Sequence, residues 1–517
     1  MAVQSQSSDV EQLHRMGYAQ ELRRRMSGFS NFAVSFTIIS ILSGCLTLYG
    51  YGMNTGGPIV MNIGWPLVGV FVLLVGLAMA EIASTYPTAG GLYYWAAKLG
   101  GKNGAAWSWF TGWFNLLGQV GITAGIDFGL ALFADAFLNA LWGYPTTPLA
   151  IIGIYTVVLF AHGLLNTFGV GLVALLNDIS VWWHLIGVAV IFIVLFLVPK
   201  QHQSLSFIFT NFVNNTGFSF GGVPVYVFLI GLLLAQYTFT GYDASAHMTE
   251  ETHNPAVAGP RGIVFSILIS LIAGWVLLIA VTGAIQNYSA EASAVTPGAQ
   301  VFLDAVGKNG GLALLFIIIG AQFYCGMSSV TSNSRMLYAF SRDGAVPGSQ
   351  FWHRINPRTR TPTNSIIFAA VGAWLLGLPY LWNPVAYAAV TSIATIGLYI
   401  AYGIPILLRL MAGDSFQRGP WHLGQWSRVV GVIAVLWIVL IAILFILPSV
   451  APGNTLQTFN YAIVAVAVVV AYSGGYWFLS AKNWFHGPKV QGTAEELAKI
   501  EAELEAVGHA APAGATQ

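Results

Sequence analysis

The sequence predicts an all-α integral membrane protein with about 12 transmembrane helices. Of its 517 residues, 56% are hydrophobic and 8% are charged, whereas an ordinary soluble domain holds about 45–50% apolar and about 25% charged residues. Uncharged runs recur, for example over 263–285, 429–448 and 461–480, at the length of roughly 20 residues that a helix needs to cross the hydrocarbon core. These runs lack the alternation of barrel strands, so helices are the expected spanning elements and a lipid bilayer is the expected surrounding.

Apolar windows predict twelve spans, which divide the chain into five units. The spans cover residues 29–51, 65–86, 104–133, 148–168, 171–198, 222–249, 261–285, 309–341, 363–382, 384–411, 426–448 and 457–480. The units are an N-terminal arm (1–28), a first repeat of five spans (29–198), a second repeat of five spans (222–411), two accessory spans (426–480) and a C-terminal tail (481–517).

Basic residues predict the orientation of these spans, because cytoplasmic loops hold an excess of Lys and Arg. When the N-terminus is set in the cytoplasm, all of the 20 Lys and Arg residues except Lys200 and Lys308 fall on that side. A missed span would invert every later loop. The distribution therefore predicts a multi-pass protein of the cell membrane with both termini in the cytoplasm.

Composition and motifs argue against several classes of protein. The formal charge of +1 is not that of a nucleic-acid-binding protein. The sequence has no G-x-x-x-x-G-K-[ST] loop, no metal-ligand cluster and no nucleophile motif. We therefore expect no enzymatic activity, catalytic residue, metal site or cofactor. Cys45 and Cys325 lie in apolar spans and are expected to pack as small residues. Oligomeric state is not predicted.

Two spans contain residues that loosen a helix. The first span holds SILSG over Ser40 to Gly44, and the sixth holds YTFTGYD over Tyr237 to Asp243. Such backbone is tolerated in a bilayer where it is buried in protein or lines a cavity. Corresponding breaks in two inverted halves are typical of transporters that bind substrate near the midplane. The alternative is that these small residues serve close helix packing.

Unwound backbone at these positions predicts a site for a zwitterion. Freed N–H groups around Ser43 and Gly44 can hold a carboxylate, aided by the positive end of a half-helix. Freed carbonyl groups near Thr240 can accept hydrogen bonds from an ammonium group. An amino acid carries both charges.

Polar groups inside the spans are further candidates, since an ionised side chain at membrane depth costs about 2.5–3.5 kcal/mol. Asp127 and Asp243 are hypothesised to attract the substrate amine or to carry a coupling proton, with a structural hydrogen bond as the alternative. Glu81 is expected in a gate or a loop salt bridge. Asn115 and Gln119 lie four residues apart on one helix face, where they either reach the site or hold helices together.

Charges near the ends of the sixth to eighth spans are expected to close the cytoplasmic side. They are Glu250, Glu251, Arg261, Arg335, Arg342 and Asp343. Exposed pairs contribute roughly 0–1 kcal/mol each, so such a network would bias a two-state gate. The alternative is that the arginines only orient the protein in the membrane.

Three motifs resemble those of amino acid–polyamine–organocation permeases. They are YPTAGGLYYW (86–95), in which Ala89 replaces the usual serine, FTGYDASAHMTEETHNPAVAGPRGI (239–263) and SRMLYAFSRDGAVP (334–347). The stretches IISILSGCLTLYGYGMNTGGP, WFNLLGQVGITAGIDFG and LLNDISVWWHLIG most resemble the amino acid/choline branch, which includes GABA permeases. The resemblance covers most of residues 29–480. It implies the leucine-transporter fold, with a 5+5 inverted repeat, discontinuous first and sixth helices, and two accessory helices.

The resemblance also implies roles for individual residues. Leu42-Ser43-Gly44 stands where relatives carry the Gly-Ser-Gly that binds the substrate carboxylate. Thr240 and Gly241 match the unwound stretch that contacts the amine. Tyr237 and Phe239 match aromatic gates over the substrate.

His184, in the fifth span, falls where some proton-coupled relatives carry a lysine. Histidine titrates near neutral pH, so it can replace that lysine. A neutral histidine that joins two helices by hydrogen bonds is the alternative.

The sequence therefore predicts a secondary active transporter for an amino acid or a small amine such as GABA, working by alternating access, with the proton as a candidate coupling ion. Choline or polyamine transport on the same fold is the alternative cargo. A channel lacks the expected continuous polar pore. A membrane sensor that binds a solute without moving it is a further alternative.

Overall fold

The computed structural model describes residues 2–168, 170–383 and 385–509, and these residues are mostly helical. Residues 510–517 of the predicted C-terminal tail lie outside the described part of the chain. The helices before the sixth span are α1 (Ala2–Arg15), α2 (Gly28–Ile39), α3 (Ile41–Thr47), α4 (Tyr49–Asn54), α5 (Pro58–Asn62), α6 (Gly64–Thr85), α7 (Leu92–Leu99), α8 (Gly104–Trp142), α9 (Pro148–Phe168), α10 (Val170–Leu197) and α11 (Leu205–Thr210).

The second half of the described chain continues in the same way. Its helices are α12 (Val223–Gly231), α13 (Leu233–Thr238), α14 (Ala244–His247), α15 (Pro255–Gly283), α16 (Tyr288–Ala292), α17 (Pro297–Arg342), α18 (Ser349–Trp352), α19 (Thr363–Gly377), α20 (Val385–Ala412), α21 (Ser427–Leu444), α22 (Ala462–Leu479) and α23 (Ala494–His509). Two short strands, β1 (Thr55–Gly56) and β2 (Val213–Asn214), pair antiparallel.

About twelve membrane spans are confirmed. Eleven helical segments of the described chain are long and apolar enough to cross a membrane. The sixth span makes up the twelfth, since its apolar part, Val223–Thr238, is shorter and the chain resumes as α14. Within α17 the backbone leaves the helical region at Gly307 (φ 74°), close to the predicted start of the eighth span. The chain is therefore a multi-pass membrane protein.

Both predicted interruptions are breaks in the backbone. Between α2 and α3, Ser40 adopts a left-handed conformation (φ 37°, ψ 81°), which is uncommon for a residue with a side chain. Between α13 and α14 the chain is unwound over 239–243, where Gly241 has φ 86°. The first and sixth helices are thus discontinuous. That 29–198 and 222–411 form an inverted repeat stays a prediction.

The broken helices lie inside a shell of long ones. The helix α8 packs against α17 and α20, while α15 packs against α2 and α6. Helices at the periphery expose large apolar side chains such as Phe160, Trp182 and Phe196. An apolar periphery around a core that contains buried polar groups is what a lipid environment requires.

Both ends of the described chain meet on one face, here called the terminal face and defined by residues 9–27 and 487–501. The N–H of Gln491 donates to the carbonyl of Gly17 at 2.8 Å, and the His14 ring lies 2.8 Å from the Glu501 carboxylate. Ends on one face agree with an even number of spans. Which side of the membrane this face occupies stays a prediction.

Candidate functional site

The two unwound segments touch each other inside the protein. A Cβ added at Gly241 would lie 2.2 Å from Cγ2 of Ile38, and one added at Gly44 would lie 2.5 Å from Oγ1 of Thr238. Only glycine leaves room for these side chains, so the two interrupted spans pack closely beside their breaks. The two breaks therefore lie near each other inside the protein.

The free backbone donors of the first break lie two residues earlier than expected. The N–H groups of Ser43 and Gly44 both donate to the carbonyl of Ser40, at 2.8 and 2.9 Å. The N–H groups of Ile41 and Leu42, the first two of α3, find no acceptor in the described part of the chain. Buried N–H groups without partners are rare, and those of a first helical turn can receive an anion. Leu42 was predicted and Ile41 was missed, although both directly follow the residue at which the helix breaks.

The sixth-span break leaves one carbonyl and the N–H groups of Thr240, Tyr242 and Asp243 without hydrogen-bond partners in the described chain. The carbonyl of Phe239 accepts a hydrogen bond from the Tyr399 hydroxyl at 2.6 Å, and the N–H of Gly241 lies 3.4 Å from the Tyr402 hydroxyl. The carbonyl of Thr240 receives no hydrogen bond from any described residue. That this carbonyl binds an ammonium group stays a prediction.

Asp243 is the centre of a buried polar cluster. Its carboxylate accepts hydrogen bonds from Nε2 of Gln119 at 2.9 Å and from the Tyr402 hydroxyl at 2.7 Å. Nε2 of His247 lies 3.2 Å from its Oδ2 and 3.3 Å from Nδ2 of Asn115. The structure thus brings together the predicted Asn115, Gln119 and Asp243. His247 was missed, although it follows Asp243 by four residues, whereas nothing in the sequence links Tyr402 to this site.

Asp127 belongs to a second buried pair. Its Oδ1 lies 3.0 Å from Nδ1 of His162, and neither side chain is exposed. Close by, a Cβ at Gly326 would lie only 1.8 Å from the same oxygen, so α17 packs directly on the pair. His162 is on α9 and was missed, because no spacing connects it with Asp127.

Tyr237 faces the interior of the bundle. A Cβ at Gly125 on α8 would lie 2.4 Å from its hydroxyl oxygen. That hydroxyl is buried and has no hydrogen-bond partner in the described chain. The position suits a residue that closes over a substrate.

Phe239 packs against the second span. Its ring lies 4.4 Å from the ring of Trp65 and against Gly69, both on α6. This placement turns the ring away from α8 and toward the second span. The ring thus packs the unwound segment onto α6, and a gating role for Phe239 stays a prediction.

His184 holds the first break. Its Nδ1 lies 2.8 Å from the carbonyl of Ser180, which can only accept, so Nδ1 carries the hydrogen. Nε2 then accepts from the Ser40 hydroxyl at 2.7 Å. This arrangement is that of the neutral, hydrogen-bonding histidine. A coupling role for His184 stays a prediction.

Glu81 lies outside the site. Its carboxylate is 3.3 Å from Nε of Arg409 and accepts a hydrogen bond from the Ser427 hydroxyl. The side chain is 1% exposed. It joins α6 to α20 and α21, which is the salt-bridge alternative rather than a gate contact.

Two buried ion pairs lie at the end of α17 that is nearest the terminal face. Arg342 pairs with Glu250 at 3.0 Å, and Arg335 pairs with Glu251 at 2.8 Å, in buried positions. These pairs connect α17 to the segment that follows α14. Arg261, which we expected in this network, is exposed and forms no ion pair within the described chain.

Asp343 extends this ion-paired region to the N-terminal arm. Its carboxylate accepts hydrogen bonds from the hydroxyls of Tyr93, at 2.7 Å, and Tyr18, at 3.1 Å. Burial raises the pKa of Asp343 above its ordinary value, against the lowering effect of Arg342. The arm is thus held against the same ion-paired region.

Comparisons with known proteins point to one group. The sequence profile of a family described as amino acid permease matches residues 26–470. Amino-acid permease BAT1 of Arabidopsis thaliana is 45% identical over 495 residues, which cover 92% of this chain and 95% of that protein. The BAT1 homolog of Oryza sativa subsp. japonica is 43% identical over 92% of this chain and 94% of its own length. The GABA-specific permease of Saccharomyces cerevisiae is 32% identical over 93% of this chain and 86% of its own length.

Proposed function

This chain belongs to the amino acid permease family, and from that membership we propose that it moves an amino acid or a related small amine such as GABA across the plasma membrane by alternating access. The family consists of permease transporters. The proposal also includes the identity of the cargo, the cytoplasmic location of both termini and the coupling of transport to protons.

One observation supports the proposal: two helix breaks lie close to each other within the protein, and both leave backbone hydrogen-bonding groups unpaired. The N–H groups of Ile41 and Leu42 offer donors on one side, and the carbonyl of Thr240 offers an acceptor on the other. A carboxylate satisfies the donors, and an ammonium group satisfies the acceptor. A zwitterion of amino acid size meets both demands at once.

The proposed cycle uses the groups around these breaks. Substrate binds between them, Tyr237 closes over it from the sixth span, and Asp243 attracts its amine. Separation of Glu250 from Arg342, and of Glu251 from Arg335, then opens the terminal face. Because this face carries the arm with its three consecutive arginines, we set it in the cytoplasm.

Choline or a polyamine is the second candidate cargo, and a cluster of tyrosines favours it. The ring of Tyr402 lies 5.1 Å from that of Tyr242 and 5.2 Å from that of Tyr399, beside the carboxylate of Asp243. Aromatic faces near an anion suit a cation that lacks a carboxylate. Such a cargo would leave the N–H groups of Ile41 and Leu42 unpaired.

Counterflow in proteoliposomes tests the proposal. Vesicles loaded with unlabelled GABA, L-alanine, L-glutamate, choline or putrescine are diluted into the same labelled compound, and its accumulation is followed. We expect saturable counterflow for at least one compound that carries both an amine and a carboxylate. Counterflow of choline or putrescine alone would establish the second candidate. Flux without counterflow would indicate a channel, and a thermal shift without flux would indicate a sensor.

A further inference from the structure

The histidine in the Asp243 cluster is fixed in one orientation by the protein. Nδ1 of His247 lies 2.8 Å from the carbonyl oxygen of Ala89. A carbonyl only accepts hydrogen bonds, so Nδ1 must carry the hydrogen. The other ring nitrogen, Nε2, therefore faces Oδ2 of Asp243 at 3.2 Å.

This contact requires a proton. With Nδ1 protonated, the neutral ring presents a lone pair at Nε2, and the ionised Asp243 presents a lone pair at Oδ2. Both side chains are 0% exposed, so water does not screen the repulsion. One added proton on either atom turns the contact into a hydrogen bond. The pair is therefore stable in its present geometry when it holds one proton.

Asn115 can satisfy either state of the pair. Its Nδ2 lies 3.3 Å from Nε2 of His247, and its Oδ1 is buried without a donor in the described chain. Rotation of the amide by half a turn exchanges the two atoms. The amide thus donates to the unprotonated ring nitrogen or accepts from the protonated one.

Other ionisable groups surround the pair on several elements. They are Tyr242 on the sixth span, Tyr399 and Tyr402 on α20, Tyr93 on α7, and Glu250 with its partner Arg342. The helices α2 and α8 face this turn with uncharged side chains, among them Ser35 and Gln119. None of these surrounding groups is a histidine, which is the residue type that ordinarily changes charge near neutral pH.

One peptide connects the pair to the ion pairs of the terminal face. The carbonyl of Ala89 accepts from His247, and the N–H of Ala89 donates to Oε1 of Glu250 at 3.0 Å. Glu250 in turn pairs with Arg342. The loop is tight at this point, since a Cβ at Gly91 would lie 3.2 Å from Cε1 of His247. Movement of the ring must therefore move this loop.

We propose that Asp243 and His247 together bind the proton that drives substrate movement. The two hydrogen bonds of the Ala89 peptide group couple the protonation state of this site to Glu250. With the proton bound, the imidazolium pairs with Asp243 and holds the Ala89 loop, which keeps the terminal face closed. When the carrier opens this face, the proton leaves to the water there. The unprotonated pair no longer holds the Ala89 loop, so the ion pair of Glu250 with Arg342 stays loosened. This inference rests on the proposed function and names its coupling site.

The test measures two processes in the same proteoliposomes. Counterflow of labelled GABA, or of L-alanine where GABA gives none, reports substrate exchange. A pH-sensitive dye inside the vesicles reports proton influx when the same compound is added outside. Two variants remove the titratable ring: His247→Asn keeps a donor toward Ala89, and His247→Gln keeps a donor toward Asp243. His202→Gln is the control, since His202 contacts the carbonyl of Leu195 far along the chain from this site.

We expect both His247 variants to lose substrate-dependent proton influx, whereas counterflow remains measurable and no longer varies between about pH 5 and pH 8. The control should retain the proton influx of the unchanged protein. Proton influx in the His247 variants equal to that of the control would overturn the inference. Absence of counterflow in the unchanged protein would instead overturn the proposed function.

A second variant keeps the inference testable if both His247 variants fail to fold. Asn115→Ser removes the rotating amide while Asp243 and His247 remain. We expect it to shift the pH of half-maximal proton-coupled uptake. A pH profile identical to that of the unchanged protein would contradict the site proposed here.

Discussion

At the scale of single residues, the site depends on positions where a side chain cannot be added. Gly241 combines a left-handed backbone (φ 86°) with a Cβ position 2.2 Å from Ile38. Alanine there would meet both the conformational cost of about 1–2 kcal/mol and a clash with the first span. The two breaks can therefore approach each other because Gly241 carries no methyl group.

Gly241→Ala is expected to reduce counterflow by about tenfold or more, since each 1.4 kcal/mol lost from substrate binding is a factor of ten. Gly474→Ala is the matched control, because a Cβ at Gly474 on α22 meets no atom within 4 Å. The measurement is the initial rate of counterflow at matched protein density. Equal rates for the two variants would show that the approach of the breaks does not matter for transport.

The sequence alone singles out a candidate residue when the residue type is unusual in its surroundings. An acidic group within an apolar span is conspicuous, so Asp127 and Asp243 were found. Their partners were not, because His162 and Tyr402 lie on other spans and become neighbours only through packing. His247 is the exception, since its spacing of four residues from Asp243 could have identified it.

At the scale of elements, the sixth span presents two faces with different tasks. Tyr237 points toward α8, where its hydroxyl has no described partner, whereas Phe239 packs on Trp65 of α6. The two residues are separated by one position and were assigned the same role by resemblance. Residues two positions apart point to different sides even on a regular helix, so one shared role for both was not to be expected from their spacing.

The two faces predict different effects of substitution. Phe239→Leu should lower the Tm of the purified protein, since loss of aromatic packing in a core costs about 1–3 kcal/mol, while the KM for uptake stays unchanged. Tyr237→Phe should leave Tm unchanged and alter KM. Thermal denaturation and uptake kinetics on both variants measure this. A changed KM in Phe239→Leu would support the gating role that the sequence predicted for Phe239.

The breaks themselves were predictable because they are local. Glycine and serine in an apolar span, at corresponding places in two halves, indicate unwound backbone without knowledge of the fold. The exact donors were not predictable. The carbonyl of Ser40 accepts hydrogen bonds from the N–H groups of Ser43 and Gly44, and the N–H groups of Ile41 and Leu42 stay free. Which N–H groups stay free depends on the position of the left-handed residue.

At the scale of the whole molecule, both ends of the chain and the ion pairs beneath them close one face. Glu250 pairs with Arg342 at the end of α17, and the adjacent Asp343 holds Tyr18 of the arm. One of the two cysteines reports on this closure. Cys325 is fully buried and donates to the carbonyl of Ile38 beside the first break, so it becomes reachable only when a path to the breaks opens.

Arg342→Gln is expected to speed the labelling of Cys325 by a membrane-permeant maleimide, in a Cys45→Ser background that leaves one thiol. Removal of one partner of a buried ion pair costs about 3–5 kcal/mol, and this cost falls on the closed state, in which the pair exists. The equilibrium should therefore move toward a state open at the terminal face. Restoring a pair of opposite polarity with Glu250→Arg and Arg342→Glu should return labelling toward the original rate, since the attraction between the charges does not depend on which helix carries which sign. Fast labelling in the swapped protein but slow labelling in Arg342→Gln would show that side-chain shape rather than charge holds this face closed.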